Sequence, residues 1–212
     1  MNKTSAPFPE ELLREILVYR LSQDERYFCS FPENGCPRWM DRRPSRTRAT
    51  ARSRTNVLLV CKQWLRIATP ILYEKVSLWY PEGTKAVAAL VKSSPEVGRA
   101  IRYLRLEGGM GKDLHTIIKG APNIHTLWIT PHIRSSEGIA GLRKSLALLQ
   151  PRNLYLLLSR HLKHNKSSTE AQGLILSAIS STWKELVSHQ KDCIGVCSIA
   201  QPLSRHLLHF IV

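Results

Sequence analysis

Leu12, Leu13, Ile16 and Leu17 recur at helical spacing behind Pro9, while Glu10, Glu11, Arg14 and Glu15 take the opposite side. This pattern predicts a short amphipathic helix with its proline in the first turn, where a missing N–H is harmless. Glu10 and Arg14, four apart in the favourable order, add slight support. From about residue 22 to residue 54 the periodicity stops, and Pro32, Asn34, Gly35, Pro37 and Pro44 punctuate the chain, so a long, partly disordered loop is expected there. Val57, Val60, Cys61, Trp64 and Ala68 then line one face of a second helix. Pro70 is expected to end it, with Ile71, Leu72 and Tyr73 following as an apolar turn.

Beyond Glu74 the texture changes to short apolar strands alternating with small helices. Aligning Leu104 and Leu106 with Leu127 and Ile129, and then with Leu156 and Leu158, gives a repeated Leu-x-Leu strand at nearly regular intervals. One strand and one helix in every unit of about 20 to 29 residues is the period of a leucine-rich repeat, and such units bury their apolar faces only by stacking. Leu78, one comparable interval before Leu104, is a further candidate strand position, and the segment 183–190 (WKELVSHQ) is a later one. Helices are expected between the strands at 85–92, 114–119, 139–149 and 170–180. The fold class is therefore α/β, with helices at the N-terminus and a parallel strand stack in sequence order behind them. Alternation along each strand points Leu104, Leu106, Leu127 and Ile129 inward and Arg105 and Trp128 outward on one face. A tryptophan beside an arginine is either a partner contact, the composition of a binding hot spot, or a pair packed under a loop.

Composition adds one unusual feature, a formal net charge of +15 with a pI near 10.0. Much of it is local: Arg38, Arg42, Arg43, Arg46, Arg48, Arg52 and Arg54 stand against Asp41 alone. That tract reads as an import signal, a nucleic-acid contact or a solvated basic loop, and its neighbouring serines and threonines also suit phosphorylation. It lacks the interleaved aromatics of a stacking platform. An apolar share of 43% and a charged share of 22% are those of a folded chain, not a disordered one. No apolar run approaches the roughly 18 residues of a membrane span, and the charged, proline-interrupted start is unlike a secretion signal. An intracellular protein is expected, with Cys29, Cys36, Cys61, Cys193 and Cys197 as free thiols.

Catalytic and metal chemistry find little footing. Cys193 and Cys197 followed by His206 and His209 offer two thiolates and two imidazoles, but the gap between the pairs is short of the roughly 12 residues a zinc finger needs. Glu107-Gly108-Gly109-Met110-Gly111 follows a strand but lacks the third glycine of a dinucleotide loop and the lysine of a phosphate loop. It reads as a turn. No nucleophile elbow or paired metal-ligand motif is present, so neither an enzyme nor a cofactor is expected.

Phe8-Pro9, Glu11-Leu12-Leu13 and Ile16-Leu17, then Val60-Cys61-x-x-Trp64, then Ile71-Leu72-Tyr73, together resemble the F-box pattern. The text VCKQWLRIATPILYEKVSL and GRAIRYLRLEGG is similar to fungal F-box proteins that carry irregular leucine-rich repeats, over roughly residues 6–190. Two departures stand out: Phe8 replaces the family's opening leucine, and about thirty residues separate two helices that a short linker usually joins. A loop of that length closes at small entropic cost, about 0.6 kcal/mol per doubling. The resemblance implies an F-box-like helical module over 6–75 with a basic insertion at about 22–54, a repeat array over 76–190, and an atypical cap or truncated end over 191–212. It implies docking to a Skp-family adaptor of a cullin-RING ubiquitin ligase, with the array taking a protein substrate. Helical position puts Phe8, Pro9, Leu12, Ile16, Val60 and Trp64 at the adaptor contact, and the outward strand positions Arg105 and Trp128 are the candidates for the substrate contact. Such a protein would act in the cytoplasm or nucleus. The alternative is a basic nucleic-acid-associated protein using Arg42, Arg43, Arg46, Arg48, Arg52 and Arg54.

Overall fold

A computed structural model describes residues 9–30, 56–158, 165–183 and 186. Helix α1 (Glu10–Leu21) starts behind Pro9, carries Glu10 and Glu11 in its first turn and Arg20 in its last, and so complements the helix dipole at both ends. Leu13, Leu17 and Leu21, four apart, are its buried stripe. Part of the expected loop is a helix: Glu25–Cys29 forms α2, too short to show a period. Residues 31–54 of that loop lie outside the described residues.

The second expected helix is split and lengthened. Asn56–Leu59 is a 3-10 turn, Cys61 is extended, and α3 (Lys62–Tyr73) runs straight through Pro70. Pro70 removes one backbone hydrogen bond but lies on the exposed side. Ile71 packs on the small α1–α3 core and Tyr73 on the main core beyond it, and these contacts hold the last turn in place.

Four parallel strands follow in sequence order, β1 (Lys75–Leu78), β2 (Tyr103–Leu106), β3 (Thr126–Ile129) and β4 (Asn153–Leu156), each paired with the next. The helices between them are α4 (Pro81–Ser93) and α5 (Pro95–Ala100), α6 (Lys112–Gly120), then α7 (Ala140–Ser145) continued by the 3-10 turn Leu146–Leu148, and α8 (Lys166–Ser181). Val76, Leu104, Leu127 and Leu154 are register partners, and the repeat is measured from each of these positions to the next. Two alignments are corrected by this. The fourth strand contributes Leu154 and Leu156, not Leu156 and Leu158, and Val76, not Leu78, stands opposite Leu104. Trp183 is buried outside any strand, and most of 184–190 lies outside the described residues.

Leu104, Leu106, Leu127 and Ile129 do face the helices, and all four are fully buried with Leu114, Ile117 and Leu142. The helical layer closes tightly enough that Gly141 abuts the Gly111 carbonyl, a place where no β-carbon fits. After β2, Gly109 adopts φ +66°, the left-handed conformation glycine enters at no steric cost, and turns the chain toward α6 as the sequence predicts.

Candidate partner-binding surfaces

The N-terminal unit buries less apolar surface than it owns. Leu13, Leu17 and Leu21 of α1 close on Ile67 and Ala68 of α3, with Val57, Leu58, Trp64 and Ile71 partly buried around them. Leu12 and Ile16 remain 50% exposed, and Tyr19 is almost wholly so. Four and three apart, these residues share one helix face. Leu59, Val60 and Leu65 are exposed beside the start of α3. Of the residues expected at a contact, Pro9, Leu12, Ile16 and Val60 are thus at the surface. Trp64 is half-buried in the packing between the helices, and Phe8 lies outside the described residues. The sequence motif missed Tyr19, Leu59 and Leu65, which fall between its fixed positions. Arg66 and Glu10 tie the two helices at 2.5 Å, an exposed pair that adds little to stability.

The centre of the sheet's outer face is not open. Alternation places Arg105 and Trp128 there as expected, together with Lys75, Tyr103 and Tyr155, but residues 23–30 lie across them. Arg105 is 1% exposed and Trp128 0%. The Arg105 guanidinium lies 3.8 Å from the Trp128 ring centroid, donates from Nε to Glu107 at 2.6 Å, and donates from Nη1 to the carbonyls of Phe28 and Ser30 at 2.5 and 2.8 Å. The expectation that this pair is an exposed substrate contact is therefore corrected. It is a buried seat for α2, the packed alternative, with the cover supplied by the segment after α1.

The rest of the seat is equally specific. Lys75 donates to the Gln23 carbonyl at 2.5 Å, and Tyr103 donates to Glu25 at 3.1 Å while its ring meets the edges of Phe28 and His125. Burial pushes the Cys29 thiol up to about 11, against the opposing hydrogen bond with Tyr155. Burial, then the Cys29 and Glu25 charges, raise the Tyr155 and Tyr103 phenols to about 12. A protonated, covered thiol is a poor nucleophile, so this cluster has the chemistry of a structural contact. His125 is pushed down by burial first and by the Arg102 charge second.

At the opposite end of the strands the glycine turn holds a carboxylate. The Gly109 N–H donates to Glu137 at 2.7 Å, and Glu137 also receives Arg134, whose guanidinium stacks 4.3 Å from the Tyr80 ring centroid. A phosphate placed at this turn would meet the Glu137 charge, which supports reading the glycines as a turn.

The basic tract of Arg42, Arg43, Arg46, Arg48, Arg52 and Arg54, and the set Cys193, Cys197, His206 and His209, lie outside the described residues. Among the described residues no group of three or more His, Cys, Asp or Glu is placed to hold a metal ion, and no helix is long and apolar enough to cross a membrane. Comparison with models of protein families, with curated proteins and with solved structures finds no match.

Proposed function

We propose that this chain is a binding adaptor, the substrate-recognition component of a Skp-cullin-F-box ubiquitin ligase, acting in the cytoplasm or nucleus without a catalytic step of its own. In this reading α1 and α3 are an F-box-like module that docks a Skp-family adaptor protein. The strand-helix units behind them are an irregular leucine-rich-repeat array that takes a protein substrate. The observation that carries the docking half is the uncovered apolar face of α1: Leu12 and Ile16 stay half exposed although the helix has a core to pack against. Covering the exposed half of each on a partner is worth about 1 kcal/mol per side chain, and Val60 and Leu59 add to it. Leu12, Ile16 and Val60 are among the positions expected at the contact from the sequence, Leu59 is an addition to them, and Trp64 acts by holding α3 against α1.

The test is co-expression with a Skp-family adaptor followed by calorimetric titration. The parent chain should bind, and Leu12→Glu with Ile16→Glu should remove binding without lowering the melting temperature. Undiminished affinity in that double variant takes α1 out of the contact. Salt-sensitive retention of RNA or DNA, with no adaptor bound, would favour the nucleic-acid reading instead.

A further inference from the structure

Residues 23–30 occupy the centre of the sheet's outer face, over Arg105 and Trp128, which leaves less of that face to a partner of the array. Helices that run against the strands bring their last turns to the edge where the strands begin. Lys92, Arg99 and Lys119 close α4, α5 and α6 at that edge, and the helix dipole accounts for a cation at each. The residues immediately before β1 to β4 are aligned by the ladder as Glu74, Arg102, His125 and Arg152. Arg102 directly follows the C-cap of α5, Arg152 stands in the loop before β4, and both are exposed. Among the described residues neither forms an ion pair. Both nevertheless act on the His125 imidazole between them, as do Glu25 and Glu74 from the β1–β2 end of the row.

The wider charge balance has the same sign. Between residues 74 and 183 the described residues hold thirteen Lys and Arg against seven Asp and Glu. Three of the seven acids, Glu107, Glu137 and Glu170, are taken by Arg105, Arg134 and Arg143. The exposed surface of the array is correspondingly cationic.

We propose that the edge running from Arg102 through His125 to Arg152 is where the array meets its protein partner, and that it takes a stretch rich in aspartate and glutamate. Adjacent strands are about 4.8 Å apart, so the cations are spread over roughly 10 Å on an open edge. Spread single charges match several carboxylates better than one compact phosphate, which calls for donors converging in a cleft. A nucleic acid is disfavoured because the half-buried Tyr103 ring beside the row is already engaged by Phe28, His125 and Lys75, which leaves no free platform for a base. Glu74 and Glu25 stand at the β1 end of the row, so the acidic stretch is confined to the side from Arg102 to Arg152. The inference rests on the reading that the array binds a protein, not on the docking of α1.

Fluorescence anisotropy on the full chain tests it, with short peptides as probes: one rich in Asp and Glu, a neutral Gln and Ser counterpart, a phosphoserine peptide, and a single-stranded RNA of similar length. The acidic peptide should bind and the neutral one should not. Arg102→Glu with Arg152→Glu should weaken the acidic peptide about tenfold or more, since one exposed ion pair is worth up to about fivefold and reversal adds repulsion. Lys85→Glu with Lys112→Glu, the same charge change at exposed sites away from that edge, should weaken it less than about twofold at ordinary salt. An equal loss in the two double variants reduces the effect to net charge and overturns the proposal. Tighter binding of the RNA or the phosphoserine peptide overturns the choice of carboxylates. If the double variant is poorly folded, Arg152→Gln alone gives the same readout. Adaptor binding should survive in the Arg102 and Arg152 variants, so its loss elsewhere bears on the docking of α1 and not on this edge.

Discussion

Replacing Arg105 by Met removes the guanidinium and keeps most of the aliphatic volume, so the perturbation is one of charge and hydrogen bonding, not of a cavity. Glu107, fully buried, loses its ion-pair partner, and the carbonyls of Phe28 and Ser30 lose their shared donor. Breaking a buried pair from one side costs about 3 to 5 kcal/mol, because the charge left behind has no water to take its place. At about 2 to 4 °C per kcal/mol for a chain of this size, the melting temperature should fall by roughly 6 to 20 °C. Circular dichroism on heating measures it.

Cys29 provides a second readout of the same event. With its thiol raised from 9.0 to about 11, the thiolate at pH 8 is roughly a hundredfold scarcer than for an ordinary thiol, and the side chain is covered as well. In a background where Cys36, Cys61, Cys193 and Cys197 are replaced by Ser, the parent should label slowly and Arg105→Met quickly, because α2 has left its seat. A melting temperature within about 2 °C of the parent, with labelling still slow, would refute the idea that Arg105 holds residues 23–30 on the sheet.

Alkali should loosen the same contact. Cys29, Tyr103 and Tyr155 keep their protons in the folded chain after the unfolded chain has lost them, so stability is intact below about pH 9 and declines toward pH 11 to 12; flat urea midpoints across that range would contradict it. Gly141→Ala sets a β-carbon against the Gly111 carbonyl and should cost about 1 to 3 kcal/mol. Gly173→Ala, mid-helix in α8 with open space around it, should stabilise by about 0.5 to 1 kcal/mol, and chemical denaturation of the pair would expose an error in the α6–α7 packing if the two behaved alike. Trp64→Ala, half-buried between α1 and α3, should lose about 2 kcal/mol, less than the roughly 3 to 5 kcal/mol of a fully buried aromatic, and an unchanged unfolding midpoint would place Trp64 outside that packing.

The parts of this fold that were legible in the sequence are those with a period to read. Leu104 and Leu106, then Leu127 and Ile129, alternate with polar or aromatic neighbours, and both their inward direction and their pairing follow from that. In the fourth strand Leu154 is followed by Leu156, Leu157 and Leu158, an apolar run in which a two-residue shift keeps the same face and changes only the partner. Helix α2 (Glu25–Cys29) is below the length at which any period can appear. Arg105 and Trp128 were pointed the right way by alternation, but what lies over them arrives from Phe28, far back in the chain, and a local pattern carries no trace of that. Pro70 illustrates tertiary contacts overriding a local breaker, since Ile71 and Tyr73 gain more from packing than the helix loses in one hydrogen bond. At the surface, Leu12 and Ile16 stood out because a motif fixed their spacing, whereas Tyr19 and Leu65 belong to no motif and needed the helices to be placed.

The seating of α2 also dictates an order of assembly. Arg105 meets Phe28 and Ser30 across 77 and 75 residues of chain, among the most distant contacts in the molecule. Contacts of that separation form late, because the entropy of closing the loop is spent before they return anything. The surface that receives α2 is assembled from β2, β3 and β4, so it does not exist until Tyr155 has joined the sheet. During synthesis α2 leaves the ribosome early, yet it reaches its seat only after β4 has joined the sheet. Until then Phe28 and Trp128, each destined for the other's side of one interface, both face water.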